Sequence, residues 1–384
     1  MKILILGGGA QGKAALYDLC QNKEVEAITM VEYDLKQVKE FTEKLGDSRI
    51  RLLSEDANDK EKIKSLMSEH DITIDLLPTE FRKQIAGLAI KTKKPLVNTS
   101  FKSNIKDYAE DAEEEEVLIM PEAGLDPGID LILAGKAVKN LETVEAIESS
   151  CGGIPAPEYC NNPLNYKVSW NFEGVLNAYK RPASLVIDGK KVPINGEDIF
   201  NHGKEIDILG IGKLERYPNG FATTYAQQLG IRKEVSNVGR YTLRWPGHCA
   251  FWKKMSELGM LDDESESGIS PKKMLAQTLG PKLQYKDHEE DMIILRNEIT
   301  GFKDGKKKKI IQQLVDKRDM NTGLMAMNRT VGFTASIVAQ MILQGKITGY
   351  GILNPAQHIP HQEFIEELQK RGIKINEWEE DVHC

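Results

Sequence analysis

The sequence predicts an α/β fold, a doubly wound parallel sheet with an α+β domain inserted in the chain. Three observations predict it. Short apolar runs alternate with helical patterns up to about residue 125. The first run, KILIL, enters a glycine turn, Gly7-x-Gly9-x-x-Gly12, that opens directly into a helical pattern. From about Gly128 the alternation gives way to hairpin signals, and a small-residue-rich apolar helix, FTASIVAQMIL, follows near residue 330.

Taken in order, KILIL is the first strand and residues 11–22 the first helix. AITMVE is the second strand, followed by a helix over 35–45 with apolar positions at 35, 38, 41 and 45. IRLLSED is the third strand, with Asp56 at its end, and 60–69 the third helix. ITIDLLP, a helix over 82–91 and PLVNTS come next; an acid-rich helix ending at Glu116 leads into VLIMPEA. In the inserted part, 151–157 reads as a rigid glycine- and proline-rich turn, and 166–170 as a strand with Lys167 and Ser169 on its polar face. SLVIDG, YTLRW, MIILRNEIT and IIQQLVD are further strands. The lysine run 306–309, following Gly305, marks a hairpin tip and not a binding patch. Helices over 333–343 and 361–371 close the chain and return to the first domain.

Composition narrows the class. A chain of 384 residues, 40% hydrophobic and 28% charged, is that of an ordinary globular protein large enough for two cores. The net charge of −7, with no basic cluster interleaved with aromatics, argues against a nucleic-acid partner. No apolar run approaches the ~20 residues that span a bilayer, and the N-terminus lacks a signal-peptide layout. The five cysteines (Cys20, Cys151, Cys160, Cys249 and Cys384) include no CxxC pair, which reads as reduced thiols in the cytoplasm. His358 and His361 in HIPH have a proline between them and no third ligand nearby, so no metal is expected.

The glycine turn carries the first chemistry. Gly7 permits the sharp turn, Gly9 lets backbone approach a pyrophosphate, and Gly12 lets the helix pack on the strand, so that amides near Gln11 face phosphate charge. Glu32 stands 20 residues beyond Gly12, at the end of the second strand. A carboxylate there accepts hydrogen bonds from a ribose and repels a 2′-phosphate, which predicts NAD in preference to NADP. This is a Rossmann reading, and it places the ligand over the strand ends: Asp56, Leu77, Pro78 and Ser100. The expected division is a dinucleotide-binding domain over 1–127, a substrate domain over 128–330, and returning helices over 331–384. A cleft between two lobes follows from that division.

Three segments point to a substrate. In PEAGLDPGID, Asp126 follows a strand end; it can cap the helix beginning near Pro127, a role compatible with binding substrate. In the segment 151–170, Lys167 would bind a carboxylate or move protons, and Cys151 would be nucleophilic only with a depressed thiol pKa, for which no adjacent base is evident. In YTLRWPGH, Arg244 is a bidentate anchor for a carboxylate and His248 a candidate general base.

Together GLDPGID, CGGIPAPE…NNPLNYKVSW, TLRWPGH and MNRTVGFTASIVAQMIL resemble the saccharopine dehydrogenase family, in order and over nearly the whole chain. The resemblance implies oxidation of an amino acid's carbon–nitrogen bond, with hydride passing to NAD or NADP and water splitting the imine. It also implies a dimer and places Asp126, Gly152, Gly153, Lys167, Arg244 and Thr330 around the substrate; Ser169, on the polar face with Lys167, joins them as a substrate-binding candidate. Asp126, Lys167 and His248 are the catalytic candidates. Two positions depart from the saccharopine-reductase pattern: Phe101 replaces a tyrosine after the fifth strand, and Gly220 replaces an arginine in Pro218-Asn219-Gly220-Phe221. Glu32-Tyr33-Asp34 is similar to the lysine 6-dehydrogenase branch. The alternatives are a polyamine enzyme of homospermidine-synthase or carboxynorspermidine-dehydrogenase type, and a non-catalytic NAD-binding sensor.

Overall fold

The computed structural model describes residues 1–231, 235–265, 268 and 270–382, the Gln37 side chain excepted. The chain falls into two compact units, one of Met1–Lys136 with Asn328–Ile373, the other of Ala137–Met327 with Lys374–Cys384. The elements of the first stretch are β1 (Lys2–Leu6), α1 (Ala10–Gln21), β2 (Ala27–Glu32), α2 (Lys36–Leu45), β3 (Ile50–Ser54), α3 (Lys60–Glu69), β4 (Ile72–Asp75), α4 (Arg82–Thr92), β5 (Leu96–Asn98), α5 (Ala109–Glu114), β6 (Leu118–Met120) and α6 (Ile129–Lys139). The middle stretch supplies β7 (Thr143–Pro155), α7 (Phe172–Ala178), β8 (Ala183–Ile187), β9 (Lys190–Ile194), β10 (Lys204–Ile208), β11 (Gly212–Pro218), α8 (Ala222–Gln228), β12 (Asn237–Arg244), α9 (His248–Glu257), α10 (Pro271–Leu279), β13 (Asp291–Lys303) and β14 (Lys306–Lys317). The chain ends with α11 (Ala326–Leu343), β15 (Gly351–Ile352), α12 (Pro355–His358), α13 (His361–Lys370) and β16 (Ile375–Asp381).

The first unit holds a parallel sheet in the order β15-β6-β5-β4-β1-β2-β3. Apart from the added β15, this is the 3-2-1-4-5-6 order whose chain reversal beside β1 opens a crevice at the strand ends. Ile3, Leu4, Ile5 and Leu6 are fully buried, as a central parallel strand covered on both faces requires. The second unit holds a mixed sheet, β10-β11-β12-β7-β13-β14-β16, with the β8–β9 hairpin attached to β12. Only the β12–β7 pair among these is parallel. Asp304 and Gly305, both at positive φ (52° and 71°), form the two-residue turn joining β13 to β14.

Three expectations change. Residues 151–157 are not a turn: through Pro155 they belong to β7, at the centre of the sheet between β12 and β13. Gly152 is there for close approach, since a Cβ would collide with the Leu243 carbonyl. Residues 166–170 form an irregular segment instead of a strand, and Tyr166, Lys167, Val168 and Ser169 are all buried, so no polar face alternates with an apolar one. The closing segment is not purely helical: β15 extends the first sheet, and β16 pairs antiparallel with β14. Cys20, Cys151, Cys160 and Cys249 are free thiols; Cys384 lies outside the described residues. Among the described residues, no helix is long and apolar enough to cross a membrane.

Candidate functional site

At the end of β1, Gly7 has φ +98°, and a Cβ there would lie 2.9 Å from the Leu76 carbonyl carbon and oxygen. A Cβ on Gly12 would run into the Gly7 carbonyl, so α1 can approach β1 only with glycine at both positions. Gly9 is the N-cap of α1, carries no capping side chain, and has no atom within 4 Å of a built Cβ. Gly9 and Ala10 are exposed, and no side chain caps the first turn of α1. This is a cradle a phosphate anion fits. Beside it, over the strand ends, lies a cavity of about 390 Å³ lined in part by Glu32, Asp56, Ala57, Leu77 and Pro78. Its mix of apolar wall and polar rim suits an adenosine. Asp56 accepts the Asn58 backbone amide (2.8 Å) and side-chain amide (2.9 Å), which fixes the rim loop.

Glu32 does something the spacing alone does not indicate. Its Oε2 accepts the Gly8 N–H (2.7 Å) and its Oε1 the Tyr33 N–H (2.8 Å). The carboxylate thus braces the glycine turn.

Leu77 and Ser100, with Pro78 next in the chain to Leu77, are organised by Arg82, a residue the sequence reading passed over. Its guanidinium is buried, pairs with Asp75 at 2.5 Å, donates to the Asp75 and Leu77 carbonyls, and reaches Ser100 Oγ at 2.6 Å. A signal was available: an arginine opening a helix opposes the helix dipole and needs another reason to be there. Burial pushes the Asp75 carboxyl up, against the pull of Arg82.

Asp126 lies in the turn after β6. The capping reading is corrected: α6 begins at Ile129, and it is the buried Asp130 that accepts the Gly128 N–H, at 2.7 Å. Burial pushes Asp130 up to about 7, with the backbone hydrogen bonds of Gly128 and Leu131 opposing. Thr330 is fully buried within α11, where its carbonyl accepts from Thr334 Oγ1 (2.7 Å). Both belong to the first unit.

In the second unit, a Cβ on Gly153 would meet Ser169 Oγ at 3.0 Å and Met327 Cε at 2.9 Å, so these residues share a surface. Lys167 is 4% exposed and its Nζ lies 2.5 Å from Glu289 Oε1. Asn161 also donates to that oxygen (3.1 Å), and the Lys286 N–H donates to Glu289 Oε2 (2.8 Å). Burial works to raise the Glu289 carboxyl, but these donors outweigh it and hold it at about 2. Glu289 was missed because it lies 122 residues from Lys167 and nothing local links them.

Arg244 is 7% exposed, with its guanidinium over the Tyr166 ring (5.2 Å) and Nη1 donating to the Leu243 carbonyl (2.8 Å). Its Nε is buried without a hydrogen-bond partner, and among the described residues no carboxylate pairs with it. His248 opens α9 but is 3% exposed, enclosed by Tyr166, Tyr179, Tyr217, Phe200 and Trp252. Its Nε2 is bonded to the Tyr179 hydroxyl at 2.9 Å. Burial, and then the Arg244 charge, push the imidazole well below the ordinary histidine pKa. The structure therefore gives His248 a partner and a closed surrounding that a general base facing a substrate would not have. Phe101 is 39% exposed, and a Cβ on Gly220 would lie 3.9 Å from Arg240 Nη1, so a cation stands beside the position where the expected arginine is missing. His358 and His361 bond to the backbone of Asn354 and Ala356.

Comparison with known proteins identifies the relatives. Residues 3–120 match the model of the saccharopine dehydrogenase NADP binding domain, and 124–373 that of the saccharopine dehydrogenase C-terminal domain. The Schizosaccharomyces pombe saccharopine dehydrogenase (NADP(+), L-glutamate-forming) is 28% identical over 98% of this chain and 98% of its own. The mitochondrial alpha-aminoadipic semialdehyde synthase of Rattus norvegicus is 27% identical over 98% of this chain and 47% of its own. Apo saccharopine dehydrogenase (L-Glu forming) from Saccharomyces cerevisiae superposes with a TM-score of 0.86 at 26% identity, over 99% of each chain. These findings overturn the NAD preference: the matching domain model is an NADP-binding one, and the Schizosaccharomyces pombe and Saccharomyces cerevisiae relatives are named as NADP(+) enzymes. The physical reason is in Glu32, whose two oxygens are engaged by the backbone amides of Gly8 and Tyr33, so acid type and spacing did not identify a ribose reader.

Proposed function

The chain belongs to the saccharopine dehydrogenase family, a family of oxidoreductases, and on that premise we propose that it is an NADP-dependent, L-glutamate-forming saccharopine dehydrogenase of lysine metabolism. Saccharopine is a secondary amine joining the lysine side-chain nitrogen to the α-carbon of a glutamate skeleton. Oxidation at the lysine-side carbon gives an imine, and water splits it into an aldehyde and glutamate. The observation that carries the reading is Arg244: a buried guanidinium, unable to shed its charge, with Nε unpartnered and, among the described residues, no carboxylate paired with it. A substrate carboxylate supplies the missing charge.

The glycine cradle of Gly7, Gly9 and Gly12 would hold the pyrophosphate, and Leu77, Pro78 and Ser100, fixed by Arg82, the far half of the cofactor. When bound, the nicotinamide supplies the acceptor for the electron pair leaving the substrate carbon. Asp126 is assigned to the substrate's ammonium group. Gly152 lets β7 pack against the Leu243 backbone, Gly153 abuts Ser169, and the Ser169 hydroxyl is assigned as a hydrogen-bond partner of the substrate. Lys167, ion-paired with Glu289, is assigned as the proton donor to the departing nitrogen, which leaves removal of the amine proton to water. Thr330 acts by packing α11. A cytoplasmic homodimer is part of the same proposal.

The test is to mix the protein with NADP+ and either saccharopine or lysine and follow the absorbance of NADPH. Saccharopine is expected to support turnover and lysine not. Nucleotide binding without turnover of saccharopine would overturn the reading.

A further inference from the structure

The aromatic enclosure around Arg244 assigns a role to His248 and Tyr179 that differs from proton abstraction. We propose that both are positioning residues: His248 accepts the hydrogen bond of the Tyr179 hydroxyl at Nε2 and so turns that oxygen's lone pairs toward Arg244, fixing the guanidinium for a substrate carboxylate. This rests on the reading of Arg244 as the carboxylate anchor.

The geometry carries it. Tyr179 Oη and His248 Nε2 are 2.9 Å apart, and both side chains are nine-tenths or more buried. Arg244 borders the same box: the Tyr166 ring lies 5.2 Å from the guanidinium carbon and 5.6 Å from the imidazole. A hydroxyl has one proton to donate and lone pairs to accept with. Donating to the imidazole leaves its oxygen turned toward the cation, the arrangement in which both contacts are favourable. A protonated imidazole would donate from Nε2 instead, compete with Arg244 for that oxygen, and put a second positive charge in the same box. Burial and the Arg244 charge oppose that charged form, and none of the rings facing His248 brings an anion to offset them. The titratable and charged groups around it are Tyr166 from the segment before α7, Tyr179 from α7, Tyr217 from β11 and Arg244 from β12. Glu215 of β11 is spent on the Gly247 and Cys249 amides (2.8 Å each), which seats the start of α9. The imidazole lies parallel to Tyr217 (6.3 Å, 5°) and edge-on to Tyr179 (5.5 Å), so its plane is fixed from two sides.

The experiment compares wild type with Tyr179→Phe, His248→Gln and His248→Phe, reading kcat and KM for saccharopine across pH, and saccharopine affinity by calorimetry without cofactor. Tyr179→Phe removes a single oxygen and keeps the ring, so it remains informative if His248→Phe fails to fold. The expected result is a roughly tenfold weaker KM and affinity in Tyr179→Phe and His248→Phe, recovery in His248→Gln, whose carbonyl accepts the same proton, and an unchanged kcat pH profile. A fall in kcat at constant KM, loss of a limb of the pH profile in the His248 variants, or unaltered affinity in Tyr179→Phe would overturn the inference. Turnover by wild type without these shifts sinks the inference alone. Affinity shifts in a wild type that does not turn over sink the functional reading alone.

Discussion

Arg371 Nε lies 2.5 Å from Asp18 Oδ1, and this pair ties the segment after α13 to α1, the helix that the glycine turn opens. Asp18 is 3% exposed and also accepts from Ser336 Oγ (2.6 Å) and Gln340 Nε2 (3.1 Å) of α11. A carboxylate so buried is tolerable only with every acceptor position served. The cofactor-cradling helix is thereby held by residues more than 300 positions away in the sequence. Removing the cation leaves a buried unpaired charge. Arg371→Ala is expected to lower unfolding stability by about 3–5 kcal/mol, and Asp18→Asn with Arg371→Ala to cost less than the sum of the single changes. Urea denaturation of the four proteins gives the comparison, and additive losses would contradict the coupling.

The close packing of Gly12 against the Gly7 carbonyl makes a second prediction. Gly12→Ala must push α1 from β1 and turn its first amides away from the cradle. NADPH affinity, read by fluorescence, is expected to fall at least tenfold with the fold retained by circular dichroism. An unchanged affinity would mean the pyrophosphate is held elsewhere.

Much of this was legible because it is local. A glycine turn between an apolar strand and a helix is determined by neighbours in sequence, and so were the strands of the parallel sheet. Residues 151–157 were misread for a related reason: Gly152 and Gly153 signal a turn when only neighbours are considered. Their cause is a backbone, that of Leu243, packed against the strand from some 90 residues away. Lys167 was recognisable as a candidate, whereas Glu289 and Tyr179, which decide what Lys167 and His248 can do, were not. Glu32 had the right type and spacing for a ribose contact, but its two backbone partners are visible only in three dimensions.

The Lys167–Glu289 pair sets a pH dependence of stability. Glu289 is held at about 2 in the folded chain, below the ordinary 4.5. A depressed carboxyl stabilises fully above the unfolded value, and that contribution is lost as pH falls from 4.5 toward 2. The amount is on the order of 3 kcal/mol. His248 has the opposite chemistry and the same direction. Its folded pKa lies below the ordinary 6.5, so the unfolded chain binds the proton first, and stability declines as pH drops below 6.5. Glu289→Gln should flatten the loss below pH 4.5 and leave the one beginning near 6.5, while His248→Gln should do the reverse. Thermal melts across pH 2–8 measure both, and superposable wild-type and Glu289→Gln curves below 4.5 would exclude the first.

Arg244 and Lys167 should separate in kinetics. Arg244→Met removes the carboxylate's partner and is expected to raise KM by more than tenfold, with Arg244→Lys recovering part of it, since a single ammonium lacks the planar fork. Lys167→Met is expected to lower kcat by about 100-fold with a smaller change in KM. The reverse pattern would exchange the two roles.

The central claim concerns which carbon–nitrogen bond of the substrate is opened. Incubation with NADP+ and saccharopine, followed by chromatographic identification of the released amino acid, answers it in one measurement. The account predicts L-glutamate, in amounts equal to the NADPH formed. Release of lysine with 2-oxoglutarate instead would contradict it.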